Sequence, residues 1–171
     1  MKSVAVFLMS FALFTGLAVG QKSGTKKVTD STKPFSIHNP DTMFKPTNGY
    51  SIVAEVPVTD GSKIVYIAGQ VAQDKNGNLV GKDDFKAQVE QIFANLKSAV
   101  EAAGGDMHDI VKLNYYCAES VDPAQVPTLR EIRDRYVNTA APPTSTFVFV
   151  KRLIRPEWMI ELEAVAVVRK K

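Results

Sequence analysis

Residues 160–167, which read IELEAVAV, are the stretch of this chain that decides its fold. Their apolar and β-branched character predicts a strand, and side chains on a strand alternate between its two faces. One face would be wholly apolar, whereas the other would carry Glu161 and Glu163 beside Val165 and Val167. Because either face is apolar enough to need cover, we expect burial on both sides, with the two carboxylates at a partly enclosed seam.

The chain around this strand is predicted to form one α+β domain with the order β-β-α-β-α-β-β. Residues 51–58 and 64–69 are β-prone and flank the turn signal Asp60-Gly61, which predicts a β-hairpin. A helix is then predicted at residues 85–100 and a strand at residues 110–117. A second helix should begin between residues 122 and 127, followed by two strands at residues 145–150 and 159–168.

Two helices can cover only one face of a mixed sheet of about five strands. The strand at residues 110–117 alternates like the last one, and its polar face would carry Lys112, Asn114 and Tyr116. The sheet face without helices is therefore left uncovered by the chain itself. We expect a second copy of the chain to cover it.

The first 34 residues differ in composition from the rest of the chain. Residues 1–20 combine Lys2, an apolar run and the small-residue pattern Ala18-Val19-Gly20, which is typical of a cleavable signal peptide. A transmembrane anchor fits less well, because the apolar run is shorter than the roughly 20 residues that span a bilayer. Residues 21–34 are predicted to be a mobile polar leader and residues 35–171 the folded domain, which would be exported, periplasmic or secreted, with no membrane attachment after cleavage.

Composition limits the classes of function. The chain has 171 residues, of which 45% are hydrophobic and 23% charged, and a formal net charge of +3, all typical of an ordinary globular domain. Its single cysteine, Cys117, excludes an intrachain disulfide and fits a buried residue better than a nucleophile. With only two histidines, a Cys/His zinc site is not expected. Three arginines of the second helix lack interleaved aromatics and are interpreted as a solvated face rather than an RNA-binding one: Arg130, Arg133 and Arg135.

Few residues carry recognisable chemistry. No Ser-His-Asp order, phosphate loop or HExxH motif is present. Gly69, at the end of a β-prone run, would let a ligand approach the backbone, although a bulge is the simpler reading. Glu161 is either functional or neutralised by an ion pair with Arg152, Arg155 or a lysine of a neighbouring subunit, and the residues alone leave both alternatives open.

Four segments match a known family in order and spacing. They are NGYS at residues 48–51, VYIAGQ at 65–70, NLKSAVEAAGG at 95–105 and IELEAVAV at 160–167. Together they resemble the reactive intermediate deaminase (Rid) family, also named YjgF/YER057c/UK114 and, in older usage, endoribonuclease L-PSP. The resemblance extends from about residue 39 to residue 168.

This resemblance implies a chorismate-mutase-like α+β subunit, with two helices packed on one face of a mixed sheet, and a homotrimer with ligand clefts between subunits. Active deaminases of the family hydrolyse reactive imines or enamines derived from amino acids, releasing ammonia and a 2-oxo acid, with no metal and no organic cofactor. Glu161 matches the family's glutamate, which orients water or moves a proton. Tyr50 and Gly69 match positions that contact the ligand.

The chain departs from the family where the deaminases carry an arginine. Thr144 occupies that place, and one neutral hydroxyl cannot replace the bidentate grip of a guanidinium on a substrate carboxylate. Thr146 stands where many members have a cysteine, and the loop that follows is slightly longer than in the deaminases. Thr144 and Thr146 remain candidate ligand contacts, and Arg152 and Arg155 are candidate compensating cations.

Two functions are consistent with these features. The first is hydrolysis of imine or enamine compounds through Glu161, with a specificity altered by Thr144. The second is a non-catalytic homotrimer that binds a small metabolite in the same cleft. A ribonuclease, which the older family name suggests, is disfavoured by the predicted export and by the lack of an RNA-stacking surface. We therefore expect a small-molecule partner and self-association, and no nucleic-acid partner.

Overall fold

A computed structural model describes residues 35–38, 49, 53–56 and 61–169. The predicted signal peptide and leader and the candidate ligand contact Tyr50 lie outside these described residues, so export of the protein stays a prediction. Within the ranges described, no helix is both long enough and apolar enough to cross a membrane.

The described elements follow the predicted order, with one additional short strand at the beginning. They are β1 (Ser36–His38), β2 (Val53–Glu55), β3 (Ser62–Gln70), α1 (Phe85–Ala102), β4 (Ile110–Ala118), α2 (Val126–Asp134), β5 (Thr144–Val150) and β6 (Ile160–Arg169). Short 3₁₀ turns precede β4 and α2. The second helix begins at Val126, inside the window in which its start is predicted.

Four of these strands form a mixed sheet in the order β3-β6-β4-β5, in which only the β4–β5 pair is parallel. The decisive strand β6 therefore lies inside the sheet, with a partner on each side. The hairpin predicted from residues 51–58 and 64–69 is not found in the described ranges, where β2 pairs with β1 and β3 pairs with β6. Residues 51–52 and 57–60 of the predicted hairpin lie outside the described residues.

The core lies between this sheet and the two described helices. Asp84 caps the start of α1, since its side chain accepts a hydrogen bond from the N–H of Ala87 (3.0 Å). The apolar stripe of α1 is buried as its spacing predicts, at Val89, Ile92, Phe93, Leu96 and Val100. It shares the core with one face of β6, namely Ile160, Leu162, Ala164 and Ala166. The alternation predicted for β6 is thus confirmed, and both of its glutamates lie on the face away from the helices.

A buried polar side chain, Gln88, joins α1 to the loop that leads into β6. Its amide nitrogen donates hydrogen bonds to the carbonyl oxygens of Gly81 (3.1 Å) and Glu157 (2.9 Å). Its amide oxygen accepts a hydrogen bond from the N–H of Met159 (2.9 Å). Because Met159 immediately precedes β6, these bonds fix the path of the chain into the strand that carries Glu161.

Replacing Gln88 by leucine should lower the free energy of unfolding by about 2–4 kcal/mol, because three backbone groups lose their buried partner. Urea titration followed by circular dichroism measures the difference. The matched control is Gln91→Leu on the same helix, whose amide donates to the side chain of Asn95 and whose replacement should cost less than about 1 kcal/mol. Equal losses in the two variants would contradict this role of Gln88.

Candidate functional site

The sheet face away from the helices collects polar side chains from three adjacent strands. On β6 they are Glu161 and Glu163. On the neighbouring strands they are, from the register of the pairs, Lys112, Asn114 and Tyr116 of β4 and Thr144 and Thr146 of β5. These seven residues define the polar face, and they include three of the sequence-predicted site residues.

Gly69 allows the carboxyl group of Glu161 to lie directly against the backbone of β3. The β3–β6 register shifts between Ile67 and Gln70, so the bulge predicted as the simpler reading of this glycine is present. A Cβ atom on Gly69 would stand 1.8 Å from Oε1 of Glu161, far inside van der Waals contact. The bulge and the close approach therefore occur together, and the approaching group is this carboxylate.

The carboxyl group of Glu163 is held in place on the polar face by two hydrogen bonds. Its Oε1 atom accepts hydrogen bonds from Nδ2 of Asn114 (2.7 Å) and from the hydroxyl of Tyr116 (2.9 Å). The hydrogen bond to Glu163 raises the pKa of Tyr116, which keeps the hydroxyl protonated as a donor. Both donors lie on β4, so Glu163 is held in place across the strand pair.

Glu161 lies in a different environment, although it is only two residues away. Among the residues that the structure describes, no hydrogen bond or ion pair reaches its carboxyl group. Partial burial, and then the negative charge of Glu163, raise the pKa of Glu161 above its usual value of 4.5. A carboxyl group with a raised pKa and without an internal partner is suited to exchange a proton with a bound molecule or with water.

The two arginines considered as partners for this site, Arg152 and Arg155, lie in the exposed loop after β5. The guanidinium of Arg155 stands over the ring of Trp158, 5.2 Å from its centroid. Thr144 lies at the opposite end of β5, which at about 3.3 Å per residue is roughly 20 Å away along the strand. Within one chain, the structure therefore does not bring either arginine to Thr144, the residue that the sequence resemblance places where the deaminases have an arginine.

Lys112, for which the sequence predicted no role at the site, lies beside Thr144 on the neighbouring strand. It pairs in register with Thr144, and its Nζ atom donates a hydrogen bond to Oγ1 of Thr146 (2.8 Å). Burial lowers the pKa of Lys112, and no carboxylate within the described ranges forms an ion pair with it. The Oγ1 hydroxyl of Thr144 donates to the carbonyl oxygen of Val111 (2.8 Å), so its proton is already used inside the sheet.

The strand alternation at residues 110–117 already placed Lys112 on the face of Asn114 and Tyr116. What it could not show was that this face continues across β6 to the glutamates and across β5 to Thr144, because that depends on strand order. The sequence therefore indicated the sheet face on which Lys112 lies, but not the residues that surround it there.

Among the described residues, neither a reactive cysteine nor a metal site is part of the polar face. Cys117 is fully buried in the core, and its burial raises the thiol pKa to about 11, which confirms it as a packing residue. In the part of the chain that the structure describes, no three His, Cys, Asp or Glu side chains come together in a way that could hold a metal ion.

Comparison with known proteins gives consistent matches in sequence and in fold. The family model described as Endoribonuclease L-PSP matches residues 42–168. A RutC family protein from Pyrococcus abyssi is 30% identical over 122 residues, which cover 71% of this chain and 88% of that protein. A Rid-family crystal structure of unknown function from Yersinia pestis has 32% identity and a TM-score of 0.67, covering 79% of this chain and 99% of that one. The structure of E. coli TdcF with bound serine has 29% identity and a TM-score of 0.53, covering 65% and 84%.

Replacing Gly69 by alanine should displace the carboxyl group of Glu161, because the added methyl group would occupy the position of Oε1. We expect a loss of about 1–3 kcal/mol in the free energy of unfolding and a changed Glu161 pKa, measured by ¹³C NMR of the side-chain carboxyl group. Gly61→Ala is the control, since a Cβ atom there meets nothing within 4 Å. An unchanged Glu161 titration in Gly69→Ala would disprove the close contact.

Proposed function

The chain belongs to the Rid/YjgF family, whose members include the proteins described as endoribonuclease L-PSP, and from this premise we propose that it hydrolyses small reactive imines or enamines on the polar face of its sheet. The observation that carries the proposal is the Glu161 carboxyl group. It is partly buried, lies against the Gly69 backbone, has a raised pKa and has no partner among the described residues.

The reaction requires little beyond one well-placed acid–base group. The oxygen of a water molecule bonds to the imine carbon while Glu161 accepts a proton from that water, and Glu161 then gives this proton to the nitrogen, which forms a carbinolamine. Glu161 next accepts the proton of the carbinolamine hydroxyl and gives it to the same nitrogen as the carbon–nitrogen bond breaks, which releases ammonia and leaves the carbonyl product. A group that alternates between acid and base in this way contributes about 10²–10⁴-fold to the rate.

Lys112 supports binding of a substrate with an anionic group. Its Nζ atom donates a hydrogen bond to Thr146, which pairs with Asn114, whereas Glu161 pairs with Tyr116. Asn114 and Tyr116 are two residues apart on β4, so the two pairs are separated by about 6.6 Å along the strands. An ammonium is a point charge that binds one oxygen atom at a time, whereas a guanidinium grips both oxygens of a carboxylate. We propose that this difference gives the protein a specificity distinct from that of family members with an arginine in place of Thr144.

We also propose that the cleft is completed by other copies of the chain in a homotrimer. The polar face is bordered by apolar side chains that remain exposed in the single chain, including Tyr66 (79% exposed), Ile64 (42%) and Val148 (39%). Uncovered apolar surface beside a polar site is typical of an interface between subunits.

A second candidate, from a different class, is a non-catalytic protein that binds a small metabolite on the same face. The observation in its favour is Thr144, whose hydroxyl is engaged with Val111 and is not free to grip a carboxylate. The structure of E. coli TdcF with bound serine supports binding of a small amino-acid-like molecule. The two candidates differ in whether Glu161 is needed for turnover.

Glu161→Gln should abolish acceleration of 2-iminopropanoate decay, with a loss of about 10²–10⁴-fold in rate.

Because the pKa of Glu161 is raised in the folded state, its charged form is destabilising above that pKa, and this cost disappears as pH falls below the pKa of the unfolded state. Glu161→Gln should therefore raise the free energy of unfolding at pH 7 but not at pH 3.

If the wild-type protein does not accelerate decay of 2-iminopropanoate but Thr144→Arg does, the non-catalytic binding protein is the correct function of the two.

The pH dependence provides an independent check on the role of Glu161. Activity should fall as pH decreases through the raised pKa of Glu161, since the base form accepts the proton from water. Glu163→Gln removes a negative charge that contributes to this shift, so the acidic limb should move to lower pH. A pH–rate profile with the same acidic limb in both proteins would contradict the assignment.

Lys112→Gln should raise KM for substrates that carry a carboxylate by about tenfold, because one charge-assisted hydrogen bond is lost. Turnover of an uncharged imine should be unaffected. The control is Lys63→Gln, an exposed lysine of β3 outside the polar face. Equal KM values for the two variants would exclude Lys112 as the substrate-binding cation.

Tyr66→Lys should convert the trimer into smaller species, because it places a charge in the proposed subunit interface. Sedimentation velocity should show three times the subunit mass for wild type and less for the variant. Ile154→Lys changes another exposed apolar residue (83% exposed) in the loop after β5 and should leave the trimer intact. A wild-type protein with the mass of one subunit would exclude the shared cleft.

A further inference from the structure

A cavity lies on the side of the sheet opposite the polar face, between α2 and the edge strand β5. Its volume is about 460 Å³, within the range of sites that bind small molecules. Its walls include Ser145, Phe147 and Phe149, which alternate along β5 with the threonines of the polar face. The cavity is therefore separated from Glu161 by the thickness of the sheet.

One wall of the cavity is aromatic. The rings of Tyr115 and Phe147 are 5.7 Å apart, and those of Phe147 and Phe149 meet edge to face at 5.3 Å. Phe149 is 43% exposed at the cavity, whereas Tyr115 is only 3% exposed. Such a wall favours a flat apolar group in the cavity.

The opposite wall, on α2, carries two guanidinium groups. Arg133 is buried and pairs with Asp134 (2.7 Å), so its predicted place on a solvated helix face is wrong. Gly49 lies against its guanidinium, since a Cβ atom there would stand 2.4 Å from Nη2 of Arg133, and helix periodicity cannot show this contact from a distant part of the chain. The other cation, Arg130, forms no ion pair or hydrogen bond within the described ranges.

The hydroxyl of Tyr115 supplies a further, independent indication of a ligand. It is buried and has no hydrogen-bond partner in the described structure, and Tyr115 itself lines the cavity. A buried hydroxyl without a partner is destabilising, and an acceptor atom in the cavity would relieve that cost.

We propose that this cavity binds a small aromatic carboxylate. Its ring would pack on Phe147 and Phe149, and its carboxylate would accept hydrogen bonds from Arg130 and from the Tyr115 hydroxyl. This inference does not depend on the proposed reaction at Glu161, because no residue of the polar face lines the cavity.

Isothermal titration with 3-phenylpropanoate tests the proposal on the full folded protein, with 3-phenylpropanamide as the uncharged comparison ligand. We expect a Kd on the order of a millimolar or tighter for the carboxylate, and at least about tenfold weaker binding of the amide. NMR shift changes should appear at residues 126–133 and 145–149 and not at Glu161.

Substitutions of the lining residues distinguish a specific binding site from a nonspecific apolar cleft. Arg130→Gln and Tyr115→Phe should each weaken carboxylate binding by about tenfold. Tyr115→Phe should at the same time raise the melting temperature of the free protein, because it removes the orphaned hydroxyl, so weaker binding would not reflect unfolding. The charge-matched control is Arg135→Gln, whose guanidinium pairs with Glu90 outside the cavity and whose loss should leave binding unchanged.

Three results would overturn the proposal. The first is the absence of saturable binding at ten times the expected Kd. The second is equal affinity for the carboxylate and the amide. The third is equal affinity in Arg130→Gln and Arg135→Gln, which would show that the cation of α2 does not contact the ligand.

Discussion

The interaction on which this structure depends is the burial of one face of β6 in the core, which forces two carboxylates onto the other face. Ile160 and Leu162 are each 1% exposed and pack beneath the helices. A shift of one residue in strand register would place Glu161 and Glu163 in that core, which costs far more than any local hydrogen bond returns. The apolar half of the strand thus fixes the position of its polar half.

Two carboxylates on one strand face acquire different chemistry because their neighbours differ. Glu163 accepts hydrogen bonds from Asn114 and Tyr116, which hold its carboxyl group in place. Glu161 has no such donors among the described residues and lies against Gly69, where partial burial and the charge of Glu163 oppose its ionisation. A carboxyl group whose pKa is raised in this way is suited to act as an acid–base group.

Local patterns predicted the elements well, and the misses come from contacts between elements. The alternation in residues 160–167 gave the core face of β6, and the helical spacing of α1 is confirmed. The partner of β3, however, is a strand about 100 residues further along the chain, which a local turn signal cannot indicate. The sequence placed Lys112 on the correct strand face without a role and Arg133 on a solvated face, because the neighbours of Lys112 depend on strand order and those of Arg133 include Gly49, far along the chain.

Polar groups without partners are informative here because most buried polar groups in this fold are satisfied. Gln88, fully buried, uses both ends of its amide. Two buried exceptions stand out in the described residues, the hydroxyl of Tyr115 and the indole N–H of Trp158, and the partly buried carboxyl group of Glu161 also has no partner there. Trp158 stacks with the guanidinium of Arg155 and does not line the cavity between α2 and β5, so its N–H does not point to a ligand in that cavity. The other two lie on opposite faces of one sheet, where the chain leaves room for a ligand to provide the missing partner.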